Sequence, residues 1–144
     1  MATLRCTVAI PTRELFSGEI HYASVPGAEG GYGVLPGHEM LVSADKQGVL
    51  TLWLDEAGND RRRFLLYEGA AQVYRDTLTV LGRFGTDLDT LDVEEVKEKA
   101  EALRQQIEDL EGQDTEQARV ALENCQNHMA WYDLQLKVAS EAAQ

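Results

Sequence analysis

The sequence predicts a β + α protein, with an N-terminal antiparallel β-sandwich or flattened barrel at residues 1–86 and a C-terminal antiparallel two-helix hairpin at residues 87–144. All three prolines and eleven of the twelve glycines lie before residue 87, and both residue types are typical of turns. Apolar residues recur with a period of two in the first segment and every three or four residues in the second. The first segment carries a net charge of −2 and the second −10.

The first segment contains several short strand patterns. Leu4, Cys6, Val8 and Ile10 alternate with other residues as the buried side of a strand does. Comparable patterns follow at residues 19–25, 49–54, 63–67, 71–75 and 77–81. Short turn clusters separate them, and many short strands with frequent turns are typical of sandwiches and barrels.

The second segment contains two helix patterns. The first has an apolar stripe at Val96, Ala100, Leu103, Ile107 and Leu110. The second has a stripe at Ala118, Leu122, Cys125, Met129, Tyr132, Leu136 and Ala139. Asp92 and Asp114 are the predicted N-caps of the two helices, and Gly112 is the predicted left-handed end of the first. The short connection between the helices predicts an antiparallel hairpin.

A second apolar strip lies beside the main stripe of the second helix, at Trp131, Leu134 and Val138. A two-helix hairpin does not enclose its own core, because each helix shields only one side of the other. We therefore expect this strip to dock on the β segment or on a partner protein.

The overall composition excludes several classes of protein. A hydrophobic content of 44% is enough for a packed core, and no apolar run is long enough for a spanning helix. A net charge of −12 disfavours nucleic acid and anionic membrane surfaces as partners. Membrane association is therefore expected only through a partner protein. Cys6 and Cys125 lie in different segments, which predicts free thiols in a reducing compartment.

No catalytic or metal site is predicted on this chain. Cys125 and His128 are three residues apart on a predicted helix, but a zinc site needs four ligands and no second pair is visible. Cys125 also belongs to the apolar stripe, where a free thiol behaves as a small hydrophobe. The sequence contains no Gly-x-Ser-x-Gly motif for nucleophilic hydrolysis.

Residues 25–38 are the most informative stretch. Their sequence is Val-Pro-Gly-Ala-Glu-Gly-Gly-Tyr-Gly-Val-Leu-Pro-Gly-His, with five glycines and two prolines in fourteen residues. The spacing fits neither a phosphate-binding loop nor a dinucleotide fingerprint. Such residues indicate a rigid loop that exposes backbone groups for contact, although a turn system that only reverses the chain is the commoner origin of this composition.

The pattern Pro-Gly-x-Glu-Gly-x-x-Gly-x-x-Pro-Gly-His at residues 26–38 resembles the signature of the F-type ATP synthase epsilon chain. Phe16-Ser17-Gly18 precedes it at the distance typical of that family. Two further stretches are similar, at residues 79–81 and 118–122. The resemblance covers the whole chain in order, with small departures at residues 69–70 and 82–83.

This resemblance implies a non-catalytic rotor subunit of a proton-translocating ATP synthase on the cytoplasmic face of the bacterial plasma membrane. The β segment is then expected to bind the gamma subunit and to rest on the ring of c subunits. The hairpin is expected to reach the alpha and beta catalytic subunits and to regulate ATP hydrolysis. The residues expected at the c ring or gamma are Gly27, Glu29, Gly30, Gly31, Tyr32, Gly33 and His38.

Some members of that family bind ATP at the hairpin through a Leu/Ile-Asp-x-x-Arg-Ala motif and basic residues on the second helix. Asp92 matches this motif, but Glu95 stands where its arginine is expected. Asn124 and His128 occupy positions where basic residues are expected. Because an ATP phosphate tail would meet net negative charge and no guanidinium, we expect ATP binding to be weak or absent and predict no cofactor. The same charge predicts weak inhibition by the hairpin.

The leading alternative is a free-standing protein-interaction module built from a β-sandwich and a coiled hairpin. It explains composition and periodicity equally well. It does not explain why the glycine- and proline-rich signature occurs together with Phe16-Ser17-Gly18. An enzyme is a third alternative, and no motif favours it.

Overall fold

The computed structural model describes residues 3–26, 31–37 and 41–142, and the side chains of these residues except 41–46 and 142. The chain forms two compact units, Met1–Thr90 and Leu91–Gln144, called here the β unit and the helical unit. The strands of the β unit are β1 (Leu4–Ile10), β2 (Arg13–Ile20), β3 (Tyr22–Val25), β4 (Tyr32–Val34), β5 (Leu41–Trp53), β6 (Arg61–Tyr74) and β7 (Thr77–Asp87).

These strands form a single sheet in the order β2-β1-β7-β6-β5-β3-β4. Strands β1 and β7 pair in parallel, and the other neighbours pair antiparallel. The predicted β fold is therefore confirmed, with one parallel pair that the sequence did not indicate. The core lies on the inner side of the sheet and consists of Leu4, Cys6, Val8, Ile20, Ala23, Val25, Val34, Leu50, Leu52, Phe64, Leu66, Ala71, Val73, Leu78 and Val80.

The two strands predicted at residues 63–67 and 71–75 are halves of one bent strand, β6. Phe64 and Leu66 face the core in its first half, and Ala71 and Val73 do so in its second half. The side of the strand that faces inward therefore changes between them, and Glu68 has a φ of 47° at that point. The register with β7 does not shift across the bend, so the two strands bend together.

The strand predicted at residues 19–25 is divided at His21. Strand β2 pairs with β1 up to Ile20, and β3 pairs with β5 from Tyr22 onward. The His21 backbone N–H donates to the carbonyl oxygen of Trp53 at 2.8 Å. The chain thus changes its pairing partner within one residue, and the buried positions change from even-numbered (Ile20) to odd-numbered (Ala23 and Val25).

The helical unit consists of α1 (Val93–Glu111) and α2 (Glu116–Ala142), which pack against each other. Both predicted stripes are buried or half-buried, with Val96, Ala100, Ala118 and Cys125 buried. Residues 112–115 connect the helices, so the pair is antiparallel. No helix in the described part of the chain is long and apolar enough to cross a membrane.

One of the three predicted helix ends is confirmed and two are wrong. The Asp92 carboxylate accepts from the Glu95 N–H at 3.2 Å and caps α1. Gly112 has a φ of −79° and is right-handed, so the first helix ends without a left-handed residue. The second helix is capped by Thr115, whose hydroxyl oxygen accepts from the Ala118 N–H at 3.0 Å, and not by Asp114.

Candidate partner-binding surfaces

The glycine-rich stretch is described in part. Gly27, Glu29, Gly30 and His38, all expected at a partner, lie outside the described residues. Gly31 is exposed, and a Cβ there would meet only the Val25 carbonyl oxygen at 3.5 Å, an ordinary contact.

Tyr32 and Gly33 form the edge strand β4 with Val34. They pair with Val25 and Ser24 of β3. A Cβ at Gly33 would overlap the Tyr22 hydroxyl and lie 2.9 Å from its ring. Packing inside the β unit therefore accounts for the glycine at this position.

The end of the stretch is tied to the turn between β6 and β7. Gly37 has a φ of +82°, a value that favours glycine. Its N–H donates to the Asp76 carboxylate at 2.7 Å. This bond joins residues 39 positions apart and holds Gly37 at the turn between β6 and β7.

Phe16 of the Phe-Ser-Gly motif has an internal role. Its ring lies 6.2 Å from the Phe64 ring, and the Arg62 guanidinium lies 5.6 and 5.2 Å from the two ring centres. Arg62 also pairs with Asp87 at 2.9 Å. One arginine thus joins β2, β6 and β7 beside the core.

The outer side of β1, β7 and β6 carries a charge-free surface that the sequence analysis did not identify. We call it the outer face. It consists of two rows of ladder partners, one across the three strands at Thr7, Thr79 and Gln72, and the next at Ala9, Leu81 and Ala70. Leu81 is 51% exposed at its centre.

Charged groups border the outer face at its ends, with Arg5 on one side and the Arg83–Glu68 pair on the other. Large exposed apolar residues in an uncharged patch are typical of protein contacts. The signal for this surface was present in the sequence, because the outward positions of the predicted strands 71–75 and 77–81 lack carboxylates and lysines.

The predicted docking strip on α2 contains one more residue than the sequence analysis named. Trp131 is buried, and Leu134 and Val138 are half-buried. Gln135, one helical turn after Trp131, is 4% exposed. A glutamine was not counted because its side chain is polar, although its spacing from Trp131 places it on the same helix face.

The positions of the ATP-binding motif take part in contacts within the helical unit. Asp92 caps α1, and Glu95 pairs with Lys99 at 2.9 Å. The Asn124 carbonyl oxygen lies 3.0 Å from Nδ1 of His128.

Two groups in the β unit have shifted pKa values. Burial raises the pKa of the Cys6 thiol to about 12, so this cysteine is protonated at neutral pH. Burial alone would also raise the pKa of Asp89, but hydrogen bonds from the Arg63 side chain and backbone, with the charges of Arg63 and Arg61, lower it. Both Cys6 and Cys125 are free and buried.

Comparison with known proteins identifies the family. The profile described as "ATP synthase, Delta/Epsilon chain, beta-sandwich domain" matches residues 3–84. The ATP synthase epsilon chain of Nitrobacter winogradskyi is 32% identical over 118 residues, which cover 82% of this chain and 85% of that one. The ATP synthase epsilon chain of Afipia carboxidovorans is 36% identical over 111 residues, or 77% of this chain and 74% of that one. The chain belongs to the ATP synthase epsilon chain family.

Solved structures agree with the fold expected for an epsilon chain. A chain in the cryo-EM structure of the Euglena gracilis mitochondrial ATP synthase OSCP/F1/c-ring has a TM-score of 0.61 and 21% identity, with coverage of 99% of this chain and 82% of that one. A chain in the central stalk/c-ring structure of the Tetrahymena thermophila mitochondrial ATP synthase has a TM-score of 0.51 and 12% identity, with coverage of 92% and 96%. The family assignment confirms the resemblance seen in the sequence and disfavours a free-standing interaction module.

Proposed function

We propose that the chain is a rotor subunit of a bacterial F-type ATP synthase that transmits rotation between the c ring, gamma and the catalytic head without carrying out chemistry itself. The observation that carries the proposal is the outer face on a chain of the epsilon family. Its six residues are uncharged and its central leucine is half-exposed, in a protein with a net charge of −12. A surface of this kind is suited to a lasting contact with another protein.

Gamma is the partner that we propose for the outer face. The surface lies on three neighbouring strands of a sheet whose other side is the core, so it is supported from behind. Rigid support favours the transmission of torque, because little energy is lost in deforming the contact.

The c ring is the partner that we propose for the glycine-rich stretch at residues 26–38. Gly31 is exposed and leaves room for close approach of another backbone. The bond from Gly37 to Asp76 ties the end of this stretch to the turn between β6 and β7, two of the strands that carry the outer face. The chain would then lie at the cytoplasmic face of the plasma membrane, attached through its partners.

The outer face is tested by a charge substitution and a matched control. Leu81→Arg places a charge at its centre, and Val120→Arg places the same charge on α2, where Val120 is 56% exposed. We expect Leu81→Arg to weaken binding to purified gamma at least about 30-fold, since a charge desolvated without a partner costs about 2 kcal/mol or more. Val120→Arg should change it less than about twofold. Equal binding by Leu81→Arg and the parent chain would contradict the proposal.

For the helical unit we propose weak or absent ATP binding and weak inhibition of hydrolysis. The internal contacts of Asp92 and Glu95 support this, because both carboxylates already interact within α1. Isothermal titration of the chain with ATP should give no binding at micromolar concentrations. Removal of residues 91–144 should leave the ATPase rate of the assembled complex within about twofold. Micromolar binding, or a large rise in ATPase rate, would refute the respective statement.

A further inference from the structure

A cavity of about 490 Å³ opens at one end of the β unit, away from the outer face in strand order. Strands β3, β4 and β5 and the loop after β5 meet there. Its lining residues are His21, Tyr22, Leu35, Pro36, Trp53, Asp55, Glu56 and Gly58. This volume lies within the ~300–1,000 Å³ range of ligand pockets.

An aromatic pair forms one wall of the cavity. Tyr22 and Trp53 are direct ladder partners on β3 and β5, and their ring centres lie 4.9 Å apart. Gly33 is needed for this arrangement, because any side chain there would displace the Tyr22 ring. Both rings are half-buried and so keep part of their surface open to solvent.

Two carboxylates and an exposed leucine complete the mouth of the cavity. The Asp55 carboxylate accepts from the backbone N–H groups of Asn59 and Asp60 at 3.2 and 3.0 Å, and these bonds fix the loop. Both donors are neutral, so they do not neutralise the carboxylate. Glu56 is exposed, and Leu35 is 57% exposed on the other side. The cavity therefore combines π surface, apolar surface and negative charge.

An aromatic ring beside a carboxylate also occurs at two other places in the β unit. At both, an arginine of the chain itself lies over the ring and pairs with the carboxylate. Arg62 lies over Phe16 and Phe64 and pairs with Asp87. Arg83 lies 5.4 Å from the Phe84 ring centre and pairs with Glu68.

The cavity differs from these two places. Within the described residues, the Trp53 ring contacts Tyr22 and carries no arginine. Arg61, its ladder partner on β6, does not line the cavity. The best cation–π surface of the β unit, a tryptophan face beside carboxylates, is thus left open.

We propose that this cavity binds a basic side chain, an arginine or lysine on a loop of a partner protein in the rotor. The inference deepens the proposed rotor function and rests on it. Trp53 and Tyr22 provide the cation–π surface, Glu56 and Asp55 provide the opposite charge, and Leu35 covers the aliphatic stem. Tryptophan, tyrosine and arginine are also the residues in which interface hot spots are enriched.

Binding of the chain to a subcomplex of gamma and the c ring tests this proposal. Glu56→Lys reverses the charge at the mouth, at an exposed residue with no role in the loop hydrogen bonds. Trp53→Leu removes the π surface and keeps apolar volume. Glu108→Lys is the matched control, since Glu108 is also exposed and lies on α1, outside the β unit and both surfaces proposed on it. Circular dichroism establishes that each variant is folded.

We expect Glu56→Lys and Trp53→Leu each to weaken binding about tenfold or more, and Glu108→Lys to change it less than about twofold. A photo-crosslinker at Leu35 should then label a partner segment with an arginine or lysine within about two residues of the labelled site. Unchanged binding by both cavity variants, or labelling of a segment without a basic residue, overturns the inference and leaves the rotor function standing. Failure of the parent chain to bind the subcomplex overturns both.

Discussion

The bend in the β unit and the connection in the helical unit both contain glycine, but only the bend requires it. At the bend, Gly69 faces Gly82 across β6 and β7, and a Cβ at Gly69 would overlap the carbonyl oxygen of Leu81. At the connection, Gly112 is right-handed, and a Cβ there would come no closer than 3.8 Å to any atom.

This difference extends to the two units as a whole. In the β unit, several contacts between strands leave no room for an added atom, at Gly33, Gly69 and Gly85 among others. The helical unit is specified by small local contributions, such as caps and the exposed ion pairs of α1. The β unit is therefore suited to a rigid contact, and its substitutions should have the larger effects.

Gly69→Ala should produce the largest effect. The new Cβ would meet backbone, which cannot move as a side chain can, so we expect a loss of about 3–5 kcal/mol in the free energy of unfolding. The measurement is urea unfolding followed by Trp53 fluorescence in a Trp131→Phe background, since the chain has two tryptophans and one lies in each unit.

Gly31→Ala is the control for this experiment, because its Cβ would make one ordinary contact at 3.5 Å. It should cost less than about 1 kcal/mol. Comparable losses in the two variants would mean that the bend does not depend on the glycine at position 69.

Arg62→Met should have the next largest effect. It keeps the apolar stem against Phe16 and Phe64 but removes the charge over their rings and leaves Asp87 without its partner. We expect the β unit to lose about 1–2 kcal/mol in the same assay. Arg75→Met is the matched control, because Arg75 lies 5.2 Å from the Tyr74 ring centre at an exposed turn. A loss no larger than that of the control would contradict the role assigned to Arg62.

Local sequence patterns were sufficient to predict much of the fold. Alternation located β1, β3, β6 and parts of β5 and β7, but it missed β4 and most of β2. The three- and four-residue spacing located both helices with the correct buried stripes. The bend of β6 was not predicted, because it depends on residues that become neighbours only when β6 and β7 pair, such as Gly69 and Gly82. For the same reason the sequence did not bring Tyr22 and Trp53 together, since cross-strand neighbours depend on register.

The helix cap was missed for a different reason. Asp114 and Thr115 are adjacent and both are good N-cap residues, so propensity does not decide between them. The structure decides between them through the hydrogen bond from the Ala118 N–H to the Thr115 hydroxyl oxygen. The outer face was not predicted either. Alternation shows which residues of a strand point outward, but it does not show that the uncharged outward residues of three strands form one surface.

The second-helix cap provides a smaller test within the helical unit. Thr115→Ala removes the oxygen that accepts from the Ala118 N–H and should cost about 1 kcal/mol of helical-unit stability. Asp114→Ala should cost less than about 0.3 kcal/mol, because no cap depends on it. Trp131 fluorescence during urea unfolding of a Trp53→Phe background reports on this unit. If the Asp114 variant loses more stability than the Thr115 variant, the cap has been assigned to the wrong residue.

The smallest expected effect is the pH dependence that Asp89 contributes to the β unit. Because the pKa of Asp89 is lowered in the folded state, the stability that it adds is present above the unfolded pKa of about 4 and is lost as the pH falls through the folded value. Its side chain is 37% exposed, so solvent screening limits the effect to below about 1 kcal/mol. In urea unfolding at pH 6, Asp89→Asn should have a lower free energy of unfolding than the parent chain. At pH 3 the difference between the two should be smaller. If the difference in the free energy of unfolding is the same at pH 6 and at pH 3, the charge of the Asp89 carboxylate is not what holds it to Arg63.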